Sequence, residues 1–153
     1  MDGGKQSPRF FVVPISMLRN LHLEINRVNG PVIEKELLFR IGYLSGRATA
    51  RSMELTPDSD IASVLYLQWA EMGLGMLSVA EKYPRGMLIE NRRSSEAIAM
   101  GQTGKPSCDF TRGYLAGALS VYQKKEYNVI EKQCISEGYS HCIYVLTLRK
   151  DGQ

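Results

Sequence analysis

Two segments of helical period each carry a pair of glycines four residues apart, which constrains the fold of this chain more than any other feature. Gly42 and Gly46 lie in VIEKELLFRIGYLSGRATARSMEL, and Gly113 and Gly117 lie in CDFTRGYLAGALSVY. Glycines spaced by one helical turn leave a nearly bare face, against which another element can approach closely. Such faces could pack within the domain or against a second copy. On amphipathic helices of a soluble domain, packing within the domain is the expectation.

The remaining pattern places these helices in order. Phe10–Val13 reads as a short strand, and residues 1–9 as a flexible leader to a single domain over 10–150. Ser16 is positioned to cap a helix carrying Met17, Leu18, Leu21 and Ile25, which Asn29-Gly30 ends. Pro31 suits the first turn of the next helix, where Ile33, Leu37, Leu38, Ile41, Leu44 and Ala48 recur at helical spacing. A third helix is expected from Ile61 to about Tyr83, with Leu65, Trp69, Met72, Met76 and Val79 as its stripe. Gly86 to Glu90 reads as a strand and Ser94 to Met100 as a helical turn, ahead of the helix that starts at Cys108. Tyr127 to Gln133 and Ser140 to Leu148 form a hairpin about Ser136-Glu137-Gly138. Helices early and antiparallel strands late predict an α+β fold, with helices packed on an antiparallel sheet.

Composition narrows the function classes. A chain of 153 residues buries a core without staples. Its net charge of +3 comes with no long run of like charge, which argues against direct nucleic-acid binding. No stretch is apolar for long enough to span a membrane. The start, MDGGKQSPRFFVVP, lacks a secretory signal pattern. A cytoplasmic location follows as an expectation, and there thiols serve metals or chemistry rather than bridges.

Three thiols, Cys108, Cys134 and Cys142, lie in the last third of the chain. Zinc takes four ligands in tetrahedral array, so a fourth must come from Glu131, Glu137, His141 or Asp109. Glu131 and Cys134 could share one metal if the strand ends or bulges near Gln133. His141 and Cys142 are neighbours that a regular strand points to opposite faces. Spacing therefore favours Cys108, Glu131, Cys134 and Cys142. The competing reading is that these are small buried hydrophobes. A catalytic nucleophile is disfavoured, since neither His22 nor His141 is flanked by residues that would orient it as a base.

CDFTRGYLAGALSVYQKKEYNVIEKQCISEGYSHCIYVL resembles the C-terminal part of the 4-vinyl reductase-type domain. That family pattern has a cysteine opening a helix with Gly-Tyr, a strand ending in Glu-x-x-Cys, a glycine turn, and a cysteine entering the final strand. Here these are Cys108, Gly113-Tyr114, Glu131, Cys134, Gly138 and Cys142. FRIGYLSGRATA and Ser95-Glu96 extend the match more weakly. Relatives include the sensor domains of phenol- and xylene-responsive activators, and the fold is shared with subunits of the transport-particle tethering complex.

The resemblance implies a structural zinc held by Cys108, Glu131, Cys134 and Cys142, which ties the last helix to the C-terminal hairpin. It also implies a cavity for a small apolar or aromatic molecule, for which Trp69, Met72, Met76, Tyr114 and Tyr122 are the candidate lining. Asn91 stands near the position of a phenol-contacting tryptophan, so phenol itself is not carried over. The expectation is a binding or sensing module without its own catalysis, acting through a protein partner or a homodimer. The alternatives are an accessory protein or enzyme of tetrapyrrole vinyl reduction, and an assembly or tethering subunit. No Gly-x-Gly-x-x-Gly loop or phosphate-binding loop is present to support hydride or nucleotide chemistry.

Overall fold

The computed structural model describes residues 11–150. The elements are helix α1 (Ser16–Ser52), helix α2 (Ile61–Glu71), strands β1 (Met76–Tyr83) and β2 (Gly86–Arg92), and helix α3 (Ser95–Met100). Helix α4 (Asp109–Gln123), strand β3 (Tyr127–Gln133), a 3-10 turn (Ile135–Glu137) and strand β4 (Cys142–Leu148) complete the chain. The four strands form one antiparallel sheet in the order β1-β2-β4-β3. The fold is therefore α+β, as the order of patterns predicts.

The inner face of the sheet is set by the two-residue strand period. Leu77, Met87, Ile89, Tyr144, Leu146 and Val129 are buried against Leu115 and Leu119 of α4, and against Leu65 and Trp69 of α2. Helix α4 lies in the middle of this core, with most of its residues buried.

The four paired glycines meet one another. A Cβ added to Gly42 or Gly46 would overlap the carbonyl oxygens of Phe110 and Tyr114. One added to Gly113 or Gly117 would overlap those of Phe39 and Tyr43. Helices α1 and α4 thus cross at backbone distance, each bare face filled by the main chain of the other.

Helix α1 contains a break. Gly30 adopts φ 81° and ψ 171°, so residues 16–29 and 31–52 are two helical segments, with Pro31 in the opening turn of the second. This matches the boundary read from Asn29-Gly30-Pro31. The N-terminal cap position is held by Ile15, and no side chain caps the helix, so Ser16 is its first residue rather than its cap. Phe11–Val13 has no regular secondary structure, while Phe10 and the leader 1–9 lie outside the described residues.

The third helix is shorter than its apolar stripe suggests. It stops at Glu71, and Met76 and Val79 belong to strand β1. Gly73 (φ 68°) and Gly75 (φ 128°) take left-handed conformations, and the Leu74 N–H turns back to the Trp69 carbonyl. Beyond them the pattern changes period, with Leu77 buried and Ser78 exposed. The sheet consequently has two hairpins rather than one.

Gly117→Ala tests the α1–α4 contact, because the clash falls on backbone that cannot rotate away. Urea unfolding should show a loss of about 3 kcal/mol, the upper end for overpacking. A loss below about 0.5 kcal/mol, the range of ordinary surface substitutions, would mean that the helices do not cross at backbone distance.

Candidate metal centre

Three elements bring the thiols together. Cys108 holds the cap position of α4 and makes no capping bond with its side chain, which leaves the sulfur free. Cys134 precedes the 3-10 turn, and Cys142 is the first residue of β4. Gly138 (φ 99°) closes the turn between them. The pairing register of β3 with β4 shifts between Glu131 and Gln133, and this irregularity lets Glu131 and Cys134 face one point.

The three sulfurs lie 3.8–3.9 Å from one another, and one carboxylate oxygen of Glu131 completes a set within 4.8 Å. With Zn–S bonds of about 2.3 Å, sulfurs in a tetrahedral array lie about 3.8 Å apart. All three cysteines are fully buried. Glu131 Oε2 accepts from the Cys108 N–H at 3.1 Å, whereas its Oε1 is buried with no hydrogen-bond partner. An orphaned carboxylate oxygen beside three converging thiols fits a metal ligand, and the sulfur-rich donor set suits zinc.

The electrostatics of the protein groups alone point the same way. Burial, and then the charge of Cys134, pushes the Glu131 carboxyl up to about 9. Hydrogen bonds from Cys108 and Cys142 hold the Cys134 thiol far below its ordinary value. Cys142 is drawn down by Cys108, but Cys134 and burial outweigh this and push it up to about 12. Burial pushes Cys108 well up. The four groups therefore share one negative charge at neutral pH, and a divalent cation is what would allow all of them to ionise.

The surroundings are built to support thiolates. The Ile135 N–H donates to Cys142 and the Ser136 N–H to Cys134, each at 3.4 Å. Ser94, which also caps α3, places its hydroxyl 3.4 Å from Cys108. Ser136 Oγ donates to the Ala97 carbonyl at 3.1 Å, so the Ser107 hydroxyl, 2.6 Å away, is left to donate to Ser136. Tyr144 is fully buried beside the cluster, and its hydroxyl has no hydrogen-bond partner. Burial, with the charges of Cys108, Cys142 and Glu131, pushes its phenol well up.

Sequence reasoning missed Tyr144 and Ser94. Tyr144 was within reach of the strand period, since it lies two residues after Cys142 and opposite Glu131. The other candidate ligands point elsewhere. Asp109 pairs with Arg112 at 3.1 Å, Glu137 is exposed, and His141 Nδ1 lies 2.8 Å from Ser140.

The candidate lining residues divide. Trp69 and Tyr114 are buried in edge-to-face contact, with ring centroids 4.8 Å apart, and Tyr122 is buried in the same core. Met72 packs on that core, while Met76 is 39% exposed at the start of β1. Trp69 Nε1 donates to the Leu74 carbonyl at 3.0 Å. The Tyr114 hydroxyl and Gln68 Nε2 are buried without partners. Burial raises the Tyr114 phenol, and the nearby Thr49 side chain, outside hydrogen-bonding geometry, offsets part of this. Asn91 is fully buried; its Oδ1 accepts from the Met76 N–H, while its Nδ2 has no partner. The most open groove, about 630 Å³, is elsewhere, between Ile33, Leu37, Tyr43 and Arg149.

Residues 87–148 match the family model of the vinyl-4-reductase domain. No curated protein matches the chain. Among solved structures, the fold is similar to the phenol-responsive sensory domain of the transcription activator PoxR with phenol. That likeness has a TM-score of 0.77 at 18% identity, over 92% of this chain and 77% of that one. A vinyl-4-reductase family protein from Methanocaldococcus jannaschii is similar with a TM-score of 0.68 at 21% identity, over 93% and 85% of the two chains. A trafficking protein particle complex subunit 3 from Naegleria fowleri, covalently bound to palmitic acid, is similar at 0.66 and 14%, over 89% and 93%. At these identities the structural likenesses speak to the fold. The resemblance to the 4-vinyl reductase-type domain thus stands on residues 87–148, the matched segment that contains the Cys/Glu cluster.

Proposed function

We propose that the chain is a metal-clamped module that binds or senses a small apolar or aromatic molecule. The observation that carries the clamp is the convergence of three buried sulfurs at tetrahedral spacing with an unpartnered Glu131 oxygen. Zinc held by Cys108, Glu131, Cys134 and Cys142 would tie the start of α4 to both arms of the C-terminal hairpin. Four protein ligands fill a tetrahedral site, so the role is structural and leaves no position for an activated water.

The ligand reading rests on the core around Trp69 and Tyr114. A sealed hydrophobic interior that contains an unpartnered phenol hydroxyl and an unpartnered Gln68 amide is atypical of core packed for stability alone. It suits a guest with a flat apolar body and one polar atom. The structural likeness to a sensory domain solved with phenol is consistent with this class. A homodimer or a protein partner would carry the signal onward.

Two measurements follow. Zinc added to metal-stripped protein at pH 7 should release about three protons per ion, since Cys108, Cys142 and Glu131 must each lose one while Cys134 is already ionised. On acidification protons displace the metal, and Glu131→Gln, one anionic ligand fewer, should move half-release to higher pH, read with a zinc-sensitive dye. Zinc uptake without proton release would count against thiolate ligation.

Trp69 is the chain's one tryptophan, so its emission reports on the core directly. Titration with phenol, cresols, toluene and naphthalene should give a saturable change for at least one compound. Tyr114→Phe should weaken the hydroxylated compounds selectively. No saturable response and no binding heat across the panel would remove the small-molecule reading and leave the clamp standing.

A further inference from the structure

Residues 16–29 form a helical arm whose attachment to the body runs through one buried side chain. Leu18, Leu21, Ile25 and Asn26 are half-buried, and His22 alone is fully buried. His22 Nδ1 lies 2.8 Å from Glu34 Oε1, and Nε2 lies 2.9 Å from Glu96 Oε1. Twelve residues of straight helix would separate His22 from Glu34 by about 18 Å. Their contact exists only because the chain bends at Gly30. Carboxylate oxygens accept hydrogen bonds, so an imidazole holding both must donate from both nitrogens, which is its cationic form.

Glu96 carries the connection inward. Its Oε1 also accepts from the Phe110 N–H, and its Oε2 accepts from the Thr111 N–H and hydroxyl, at 2.7–2.9 Å. One carboxylate therefore joins the arm, α3 and the first turn of α4. Glu34 is held in addition by the amide of Asn26. The charged groups facing His22 are Glu34 from the second segment of α1, Glu96 from α3 and Asp109 from α4. Lys35 and Arg112 act on Asp109 in the opposite sense.

We infer that His22 is a latch: as a cation bridging Glu34 and Glu96 it holds the arm 16–29 against α3 and α4, and loss of its proton frees the arm to pivot about Gly30. Three features support the pivot. Gly30 adopts a backbone conformation that other residues rarely take, with open space around its Cα. Met17, Leu23 and Val28, the arm's other large apolar side chains, are exposed and hold it to nothing. Lastly, no residue of the latch is a member of the Cys/Glu cluster, so the inference does not rest on the metal reading.

Burial alone would lower the imidazole pKa, but Glu96 and then Glu34 hold it above 6.5. A group with a raised folded-state pKa contributes fully below its unfolded value, and that contribution is lost as pH rises through the folded one. The arm is therefore latched in acid and loosened in base.

Amide hydrogen exchange of the full chain, corrected for the intrinsic rate at each pH, tests this. Between pH 6 and pH 9, protection of residues 18–29 should fall at least about tenfold, the effect of a one-unit pKa displacement, while residues 38–50 keep theirs. His22→Gln should show the loosened arm at every pH. Glu34→Gln keeps the shape of its side chain and removes one charge, so it should lower arm protection at pH 6 even if His22→Gln fails to fold. Protection of 18–29 that is constant with pH, or that falls in step with 38–50, would overturn the latch.

Discussion

The backbone contact between α1 and α4 is the constraint on which the rest of the structure depends. Gly42, Gly46, Gly113 and Gly117 leave no room for a side chain at the crossing. The axis of α4 is thereby fixed between α1 and the inner face of the sheet. Its buried Leu115 and Leu119 can then meet Ile89 and Leu146, and its first turn lands where β3 and β4 converge. Cys108 is the residue that this placement delivers to the hairpin.

At that junction burial and charge oppose each other. Three thiols and a carboxyl removed from water hold one negative charge among them, because desolvation makes each further ionisation costly. Backbone N–H groups of the 3-10 turn and the Ser94 hydroxyl aim at the sulfurs all the same. Donors gathered around thiols that stay protonated would have little to do, whereas around metal-bound thiolates each one stabilises charge. The unpartnered Glu131 oxygen belongs to the same logic.

Much of this was legible in the sequence. The β3 strand falls at Tyr127–Gln133 as read, and the irregularity that brings Glu131 towards Cys134 lies where the ligand spacing requires it. The break at Gly30 and the short helix after Ser94 were equally visible. Strand β1 was not, because Met72, Met76 and Val79 continue the helical spacing of Leu65 and Trp69 across two glycines. Left-handed conformations at Gly73 and Gly75 outweighed that periodicity. His22 looked unsupported because its partners lie 12 and 74 residues away, a proximity that only the bend at Gly30 and the placement of α3 create. The candidate lining residues Trp69, Tyr114 and Tyr122 sit in the core, where periodicity cannot distinguish a wall of a binding site from packing.

The central claim is that Cys108, Glu131, Cys134 and Cys142 hold one metal ion. Native mass spectrometry of freshly purified protein, followed by the same sample under denaturing conditions, measures this directly. The account predicts an excess mass of one zinc per folded chain that disappears on denaturation and is missing from folded Cys142→Ser. A metal-free wild-type chain that is folded and stable would contradict it.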